Sequence, residues 1–174
     1  MFVKGVFSMY NEYNRNGYNY GYPRYKRENT VVDDELISLN LALEMIKEAV
    51  KEEKETEVFF ENLISKAPDE NSKDILSNIR DDNKKHNEIL RFIYSNISGE
   101  VLENLDENKV ELKEGSYQDD LESAFLKDVL AVKKYRRIMG AMPTSRMHTL
   151  IMSILTDVLR HASLYNYLMH KNVM

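Results

Sequence analysis

The sequence predicts an all-α fold, a four-helix bundle with a long crossover between its second and third helices. Glycine and proline are scarce in the 174-residue chain, with six and three copies, as is usual for helical domains. Apolar residues recur at helical spacing in four segments. Two short connections flank one long connection, a pattern that favours two helical hairpins packed into one bundle.

The chain divides into a terminal segment and one domain. Residues 1–32 carry six tyrosines by position 25, many asparagines and glycines, and no helical period. This composition predicts a flexible tail, although a tyrosine-rich segment that attaches the domain to a partner is an alternative. The bundle is predicted to occupy residues 33–174.

Apolar periodicity and helix-ending residues place the four helices. They are predicted at residues 33–66, 71–96, 119–139 and 145–170. Pro68 separates the first pair and Pro143 the second pair, because proline cannot continue a helix. Gly99 ends the second helix, and the segment that follows it has no clear apolar face.

Composition excludes several classes of function. A net charge of −5 gives no basic surface for nucleic acid, and the absence of cysteine excludes disulfides, thiolate metal sites and cysteine nucleophiles. No apolar run approaches the roughly 18 residues that span a bilayer, and the first residues are a poor secretory signal. We therefore expect a cytoplasmic protein that binds neither nucleic acid nor membrane.

The two halves of the predicted bundle repeat each other at an offset of 75 residues. The matched residues are Ala49 with Ala124, Pro68 with Pro143, Ile79 with Ile154, Asp82 with Asp157, and His86 with His161. Glu53 aligns with Asp128, and both fall on otherwise apolar helix faces, as the two histidines do. An isolated buried carboxylate is costly, so mutual contact across the bundle axis is the best explanation for these four residues.

Four segments resemble the ligand-bearing helices of the ferritin-like superfamily, and those of its rubrerythrin type most closely. They read EEKETEVFFENLISKAP, IRDDNKKHNEIL, LKDVLAVKKYRRIM and ILTDVLRHASLYNYL. The resemblance covers about residues 40–170 and leaves out the tail. It implies a bundle in which two helices each give one glutamate and two give a Glu-x-x-His pair around two irons. The implied activity is the reaction of ferrous iron with peroxide or dioxygen, or iron storage.

Under this resemblance the matched metal ligands are Glu53, His86, Asp128 and His161. The glutamates that would bridge two irons are replaced by Asn83 and Val158. Asp82 and Asp157 resemble an acidic residue that supports a ligating histidine in such proteins. Two carboxylates balance only one divalent ion, so a full diiron centre is not expected unless Asp82 and Asp157 turn inward.

Two interpretations of the four residues remain open. Two histidines and two carboxylates can hold one divalent ion of iron, manganese or zinc. The same residues can instead form a metal-free core, in which each imidazole hydrogen-bonds a carboxylate.

The functional hypotheses follow from these interpretations. The first is a rubrerythrin-related metal-binding protein with residual peroxide- or oxygen-linked redox activity at a degenerate site. Because the chain has no cysteine for a rubredoxin module, turnover would need an external electron donor. The second is a non-catalytic structural or interaction protein, such as a spore-associated one. Whether the protein is an enzyme is left open, and the resemblance implies a homo-oligomer, in particular a dimer.

Overall fold

The computed structural model describes residues 36–103 and 115–171, and all regular structure within them is helical. The helices are α1 (Leu39–Lys51), α2 (Glu53–Lys66), α3 (Glu70–Ser98), α4 (Tyr117–Gly140) and α5 (Ser145–Lys171). The prediction of an all-α bundle is confirmed. The predicted tail at residues 1–32 lies outside the described residues, as do residues 104–114 of the crossover.

The helices pack as the four columns of a bundle. One column consists of α1 followed by α2, and it packs against α3 and α4. α5 packs against α4 and α3, which completes the four-column bundle. Among the described residues the backbones of diagonal columns do not approach closely, and side chains from both columns of a diagonal meet along the axis in the apolar core.

The first predicted helix is interrupted in the structure at Glu52, which separates α1 from α2. Its backbone, with φ −77° and ψ 0°, departs from ideal helical geometry, although its carbonyl still accepts from Thr56 N at 2.9 Å. Glu48 and Glu52 are like charges four residues apart, which weakens a helix at this point. The break places Glu53 in the first turn of α2.

Side-chain caps stabilise the starts of several helices, α3 and α4 among them. The Oδ1 atom of Asp69 accepts from Ser72 N at 3.0 Å at the start of α3. Ser116 and Asp119 form a reciprocal capping box at the start of α4. α3 ends at Gly99, whose φ of 76° is a left-handed conformation that glycine adopts without strain.

The apolar core is divided into two clusters along the bundle axis. One cluster consists of Ile46, Val50, Leu90, Ile93, Tyr94, Ile138, Ile151, Ile154 and Val158. The other consists of Phe60, Leu63, Ala67, Leu76, Ile79, Leu121, Ala124, Tyr165 and Leu168. On α3 the two clusters flank His86, and on α5 they flank His161, so these histidines belong to a polar layer between two apolar blocks.

The described helices include none with an apolar stretch long enough to cross a bilayer.

Candidate functional site

The centre of the polar layer is a pair of buried histidines from α3 and α5. His86 is 5% exposed and His161 is fully buried. Their ring centroids lie 5.9 Å apart, and the rings are inclined by 31°. The fold therefore brings the two repeat-related histidines face to face across the bundle.

Each histidine is bound by the aspartate of the other helix. His86 Nε2 lies 3.1 Å from Asp157 Oδ2, and His161 Nε2 lies 3.2 Å from Asp82 Oδ2. Each aspartate precedes the histidine of its own helix by four residues, so the two Asp-x-x-x-His pairs exchange partners between α3 and α5. The exchange orients both imidazoles through Nε2 and leaves Nδ1 as the other ring nitrogen available for a ligand.

Arg160 joins the two crossed pairs at the surface end of the layer. Its Nη2 donates to Asp82 Oδ2 and, at 3.1 Å, to Asp157 Oδ1. Lys85 Nζ donates to Asp82 Oδ1 at 3.3 Å from an exposed position. The guanidinium thus keeps two carboxylates together that would otherwise repel each other.

The pKa shifts in the layer favour ionised aspartates. Burial raises the pKa of Asp82, but hydrogen bonds from His161, Arg160 and Lys85 outweigh it, and the pKa falls below its ordinary value. Burial likewise raises the pKa of Asp157, but the bonds from His86 and Arg160 bring it below its ordinary value.

The pKa of His86 shifts in the same direction, for a different reason. Burial lowers it, and the opposing effect of Asp157 is smaller, so the neutral imidazole is favoured. A neutral His86 that donates its Nε2 proton to Asp157 carries a lone pair on Nδ1.

Asp128 of α4 approaches the opposite side of the His161 ring. Its Oδ2 lies 3.6 Å from His161 Nδ1, which is too long for a hydrogen bond. Both atoms are buried, and neither has a hydrogen-bond partner within the described part of the chain. Two unsatisfied buried polar atoms are costly, and a proton or a cation between them would offset that cost.

Glu53 forms an ion pair with Arg91. Its Oε2 accepts from Arg91 Nη2 at 2.9 Å. Arg91 is itself fixed, because its Nε donates to Asn87 Oδ1 at 2.7 Å and its Nη1 donates to the carbonyl of Leu102. The structure therefore brings His86, His161 and Asp128 into one layer and pairs Glu53 with a guanidinium.

The two positions that would bridge a pair of irons are occupied by residues with other contacts. Asn83 Nδ2 donates to the carbonyl of Ile79, one turn earlier in its own helix, at 3.1 Å. Val158 is 3% exposed and packs in an apolar cluster. Across the described residues, no group of three or more histidine, aspartate and glutamate side chains has the arrangement of a metal site. A two-iron centre of the family type does not fit this arrangement.

A cleft of about 830 Å³ opens toward the layer between the first column, α3 and α4. His86, Asp128 and Tyr135 are among the residues that line it, as is Tyr165. Burial raises the pKa of both tyrosines above the ordinary value, and Asp128 adds to the shift. Both phenols are therefore protonated at neutral pH.

Two residues that bind the predicted site residues, Arg91 and Arg160, were not predicted from the sequence. A signal existed for Arg160: it directly precedes His161, and Lys85 directly precedes His86 in the repeat. Both basic residues bind the aspartate three positions earlier. Arg91 has no such signal, since asparagine occupies the equivalent position in the other half.

Comparisons with known proteins support the fold. No protein-family model matches the chain, and no curated protein matches it. Among solved structures it is similar to a two-domain protein from Anabaena variabilis with DJ-1/ThiJ/PfpI-like and ferritin-like domains. The TM-score is 0.58 at 14% identity, and the alignment covers 95% of this chain and 48% of that chain. The chain therefore has a ferritin-like fold and spans about half the length of that protein.

Proposed function

We propose that this ferritin-like bundle binds one divalent metal ion in its polar layer, with His161 Nδ1 and Asp128 Oδ2 as ligands. The observation that supports the proposal is the approach of two buried, unpartnered atoms to 3.6 Å. Two ligands that each lie about 2.1 Å from one tetrahedral ion are separated by roughly 3.4 Å, which is close to this distance.

The charge of the layer supports the same proposal. The layer contains Asp82, Asp157 and Asp128. Asp82 and Asp157 share the exposed guanidinium of Arg160, and the exposed Lys85 also binds Asp82. With His86 neutral, the layer keeps an excess of negative charge that a divalent ion would neutralise. The nitrogen and oxygen donors suit iron, manganese or zinc.

The chain's own residues have separate roles in this proposal. Asp82 and Asp157 orient the imidazoles and favour the proton on Nε2, and Arg160 keeps both aspartates ionised. His86 and Asp128 both line the cleft, through which a small oxidant would enter. A bound iron or manganese ion would supply one-electron chemistry toward peroxide or dioxygen, and the electrons would come from an external donor.

A metal-free structural or interaction protein is the second candidate. It is favoured by the Glu53–Arg91 pair, which satisfies without metal a carboxylate that the family resemblance assigns to the centre. In this case His161 would carry a proton on Nδ1 and donate it to Asp128. Residues 1–32, which the structure does not describe, would then attach the domain to a partner, and their deletion should abolish association while leaving the bundle folded.

A homodimer is part of either proposal. Leu126, Val129 and Leu130 of α4 are exposed apolar side chains that a second copy would cover. Light scattering of the eluting protein should give twice the chain mass, and Leu130→Asp should shift it to the chain mass.

Metal content separates the two candidates. The protein should be purified from growth supplemented with iron, manganese and zinc, beside Asp128→Asn and His161→Asn. We expect one equivalent in the parent protein and its loss in both variants, with no change in His148→Asn, a histidine exposed near the start of α5. The absence of metal under every condition would eliminate the first candidate, and two equivalents of iron would contradict a single-ion site.

A further inference from the structure

We propose that residues 51–59 form a movable wall of the cleft and control the access of small molecules to His86 and Asp128. These nine residues are called the wall segment below. The inference concerns entry to the polar layer. It goes beyond the proposed function, because it holds whether or not a metal ion is bound there.

The wall segment has no buried side chain. Each of its nine residues is half-buried or exposed, whereas Val50 before it and Phe60 after it are buried. These two residues belong to different apolar clusters, which lie on opposite sides of the polar layer. The core therefore fixes the column at both ends of the wall segment, and the segment itself has little of the burial that resists local opening.

The helix is also interrupted within the wall segment. The break at Glu52 separates α1 from α2, and the Glu52 side chain provides no cap for α2. The repeat-related residues of α4, 126–134, likewise include no buried side chain, but they belong to one unbroken helix that packs against α5. Of these two segments, only the wall segment combines sparse burial with a helix break.

Ion pairs connect the wall segment to the neighbouring helices. Glu52 Oε2 lies 3.5 Å from Lys127 Nζ of α4, and Glu57 Oε1 lies 3.1 Å from Lys84 Nζ of α3. All four side chains are at least 29% exposed. Exposed ion pairs contribute little to stability and weaken as salt screens their charges, so these contacts can release the segment without unfolding the bundle.

The wall segment forms one side of the cleft that leads to the polar layer. Its residues in the cleft lining are Glu52, Glu53, Glu55, Thr56, Glu57 and Phe59. His86 lines the same cleft and is 5% exposed. A reagent of several heavy atoms therefore needs a wider opening to reach the His86 ring, and outward movement of the wall segment would provide it.

The test measures how fast diethyl pyrocarbonate modifies His86 in the full-length protein after chelation of metals, with each histidine quantified by peptide mass spectrometry. The reagent transfers an ethoxycarbonyl group to a neutral imidazole nitrogen, and His86 Nδ1 is the ring nitrogen that does not bind Asp157. The exposed His148 gives the reference rate. We expect the rate at His86, relative to His148, to rise about three-fold or more from low ionic strength to about 1 M NaCl.

Substitutions in one ion pair should reproduce the effect of salt. Glu57→Gln and Lys84→Gln should each raise the rate at His86 in low salt, and should reduce its response to added salt. The matched control is Lys54→Gln, because Lys54 binds Glu57 within α2, at 3.3 Å. This variant should keep the parent rate.

A covalent link should have the opposite effect. Because the chain has no native cysteine, a reducible bismaleimide can join positions 52 and 127 in Glu52→Cys/Lys127→Cys. The link should slow the modification of His86, and its reduction should restore the faster rate.

Amide hydrogen exchange locates the motion. Residues 51–59 should exchange faster than the repeat-related residues 126–134, because the helix that contains the latter is unbroken. Equal protection of the two segments would contradict a movable wall.

Three results of the modification experiment would overturn the inference. The first is a rate at His86 that does not change with salt or with the link, and the second is no modification of His86 while His148 reacts. The third is modification of the fully buried His161 in parallel with His86, which would mean that the whole bundle opens. The salt response of the parent decides if a variant does not fold.

The inference and the proposed function can fail separately. Since the modification is measured without metal, a protein that binds no metal would refute the proposed function and leave the movable wall intact. One bound equivalent together with a salt-independent rate at His86 would support the proposed function and refute the movable wall.

Discussion

His86 of α3 is bound to Asp157 of α5, with 3.1 Å between Nε2 and Oδ2, and the repeat-related pair of His161 and Asp82 runs in the opposite direction. The two bonds together connect the two halves of the bundle in its polar layer. Arg160 joins their acceptors. The layer is therefore a single hydrogen-bonded network, and its members should depend on one another energetically.

The aspartates of this network should contribute to stability. Asp82→Asn removes the charged acceptor of His161 and Arg160, and we expect it to lower the free energy of unfolding by about 1.5–3 kcal/mol in urea denaturation. The neighbouring Asp81 is exposed and binds only Arg80 among the described contacts. Asp81→Asn should therefore stay within about 0.5 kcal/mol, and equal losses for both variants would argue against the network.

Arg160 should stabilise the protein through its contacts with Asp82 and Asp157. Arg160→Met leaves Asp82 and Asp157 facing each other without their shared donor, so the midpoint of thermal unfolding should fall. In the Asp82→Asn/Asp157→Asn background the same substitution should have a much smaller effect, since no charges remain to be held together. Equal effects in the two backgrounds would mean that Arg160 stabilises the protein by other contacts.

Replacing Val158 with the glutamate that the family resemblance implies at this position should destabilise the protein. The side chain packs in an apolar cluster, so Val158→Glu both removes apolar contacts and buries a carboxylate. We expect the metal-free variant to lose at least about 2 kcal/mol of stability by chemical denaturation. Val158→Ile, which keeps the apolar character, should lose less, and a fully stable Val158→Glu variant would show that this position already accepts a charge.

The pair of Asp69 and Lys171 should give stability that depends on pH. The hydrogen bond from Lys171, followed by that from Ser72 N, lowers the pKa of Asp69 below its ordinary 3.8. The folded state therefore binds this proton less tightly than the unfolded state. Its contribution is present above the unfolded pKa and is lost as the pH falls through the folded pKa.

Asp69→Asn tests this sign directly. The variant should be less stable than the parent at neutral pH, and the difference should shrink as the pH approaches about 3. Asp74→Asn, at an exposed position of α3, the helix that Asp69 caps, should show no such trend. A difference that grows toward low pH would contradict the assignment.

The helices of the bundle could be predicted from apolar spacing and from the proline and glycine that end them, because those signals act within a single segment. The break at Glu52 could not, since the charged run around it keeps helical composition. The exchange of aspartates between α3 and α5 depends on the register of two helices, which a sequence repeat does not specify. The contact of Arg91 with Glu53 joins residues from different helices with no counterpart in the repeat.

The most direct measurement of the central claim is anomalous diffraction from crystals soaked in Mn²⁺. The account predicts one anomalous peak per chain, between His161 Nδ1 and Asp128 Oδ2, that disappears in crystals of Asp128→Asn. The absence of a peak at that position, or two peaks that include Glu53 as a ligand, would contradict it.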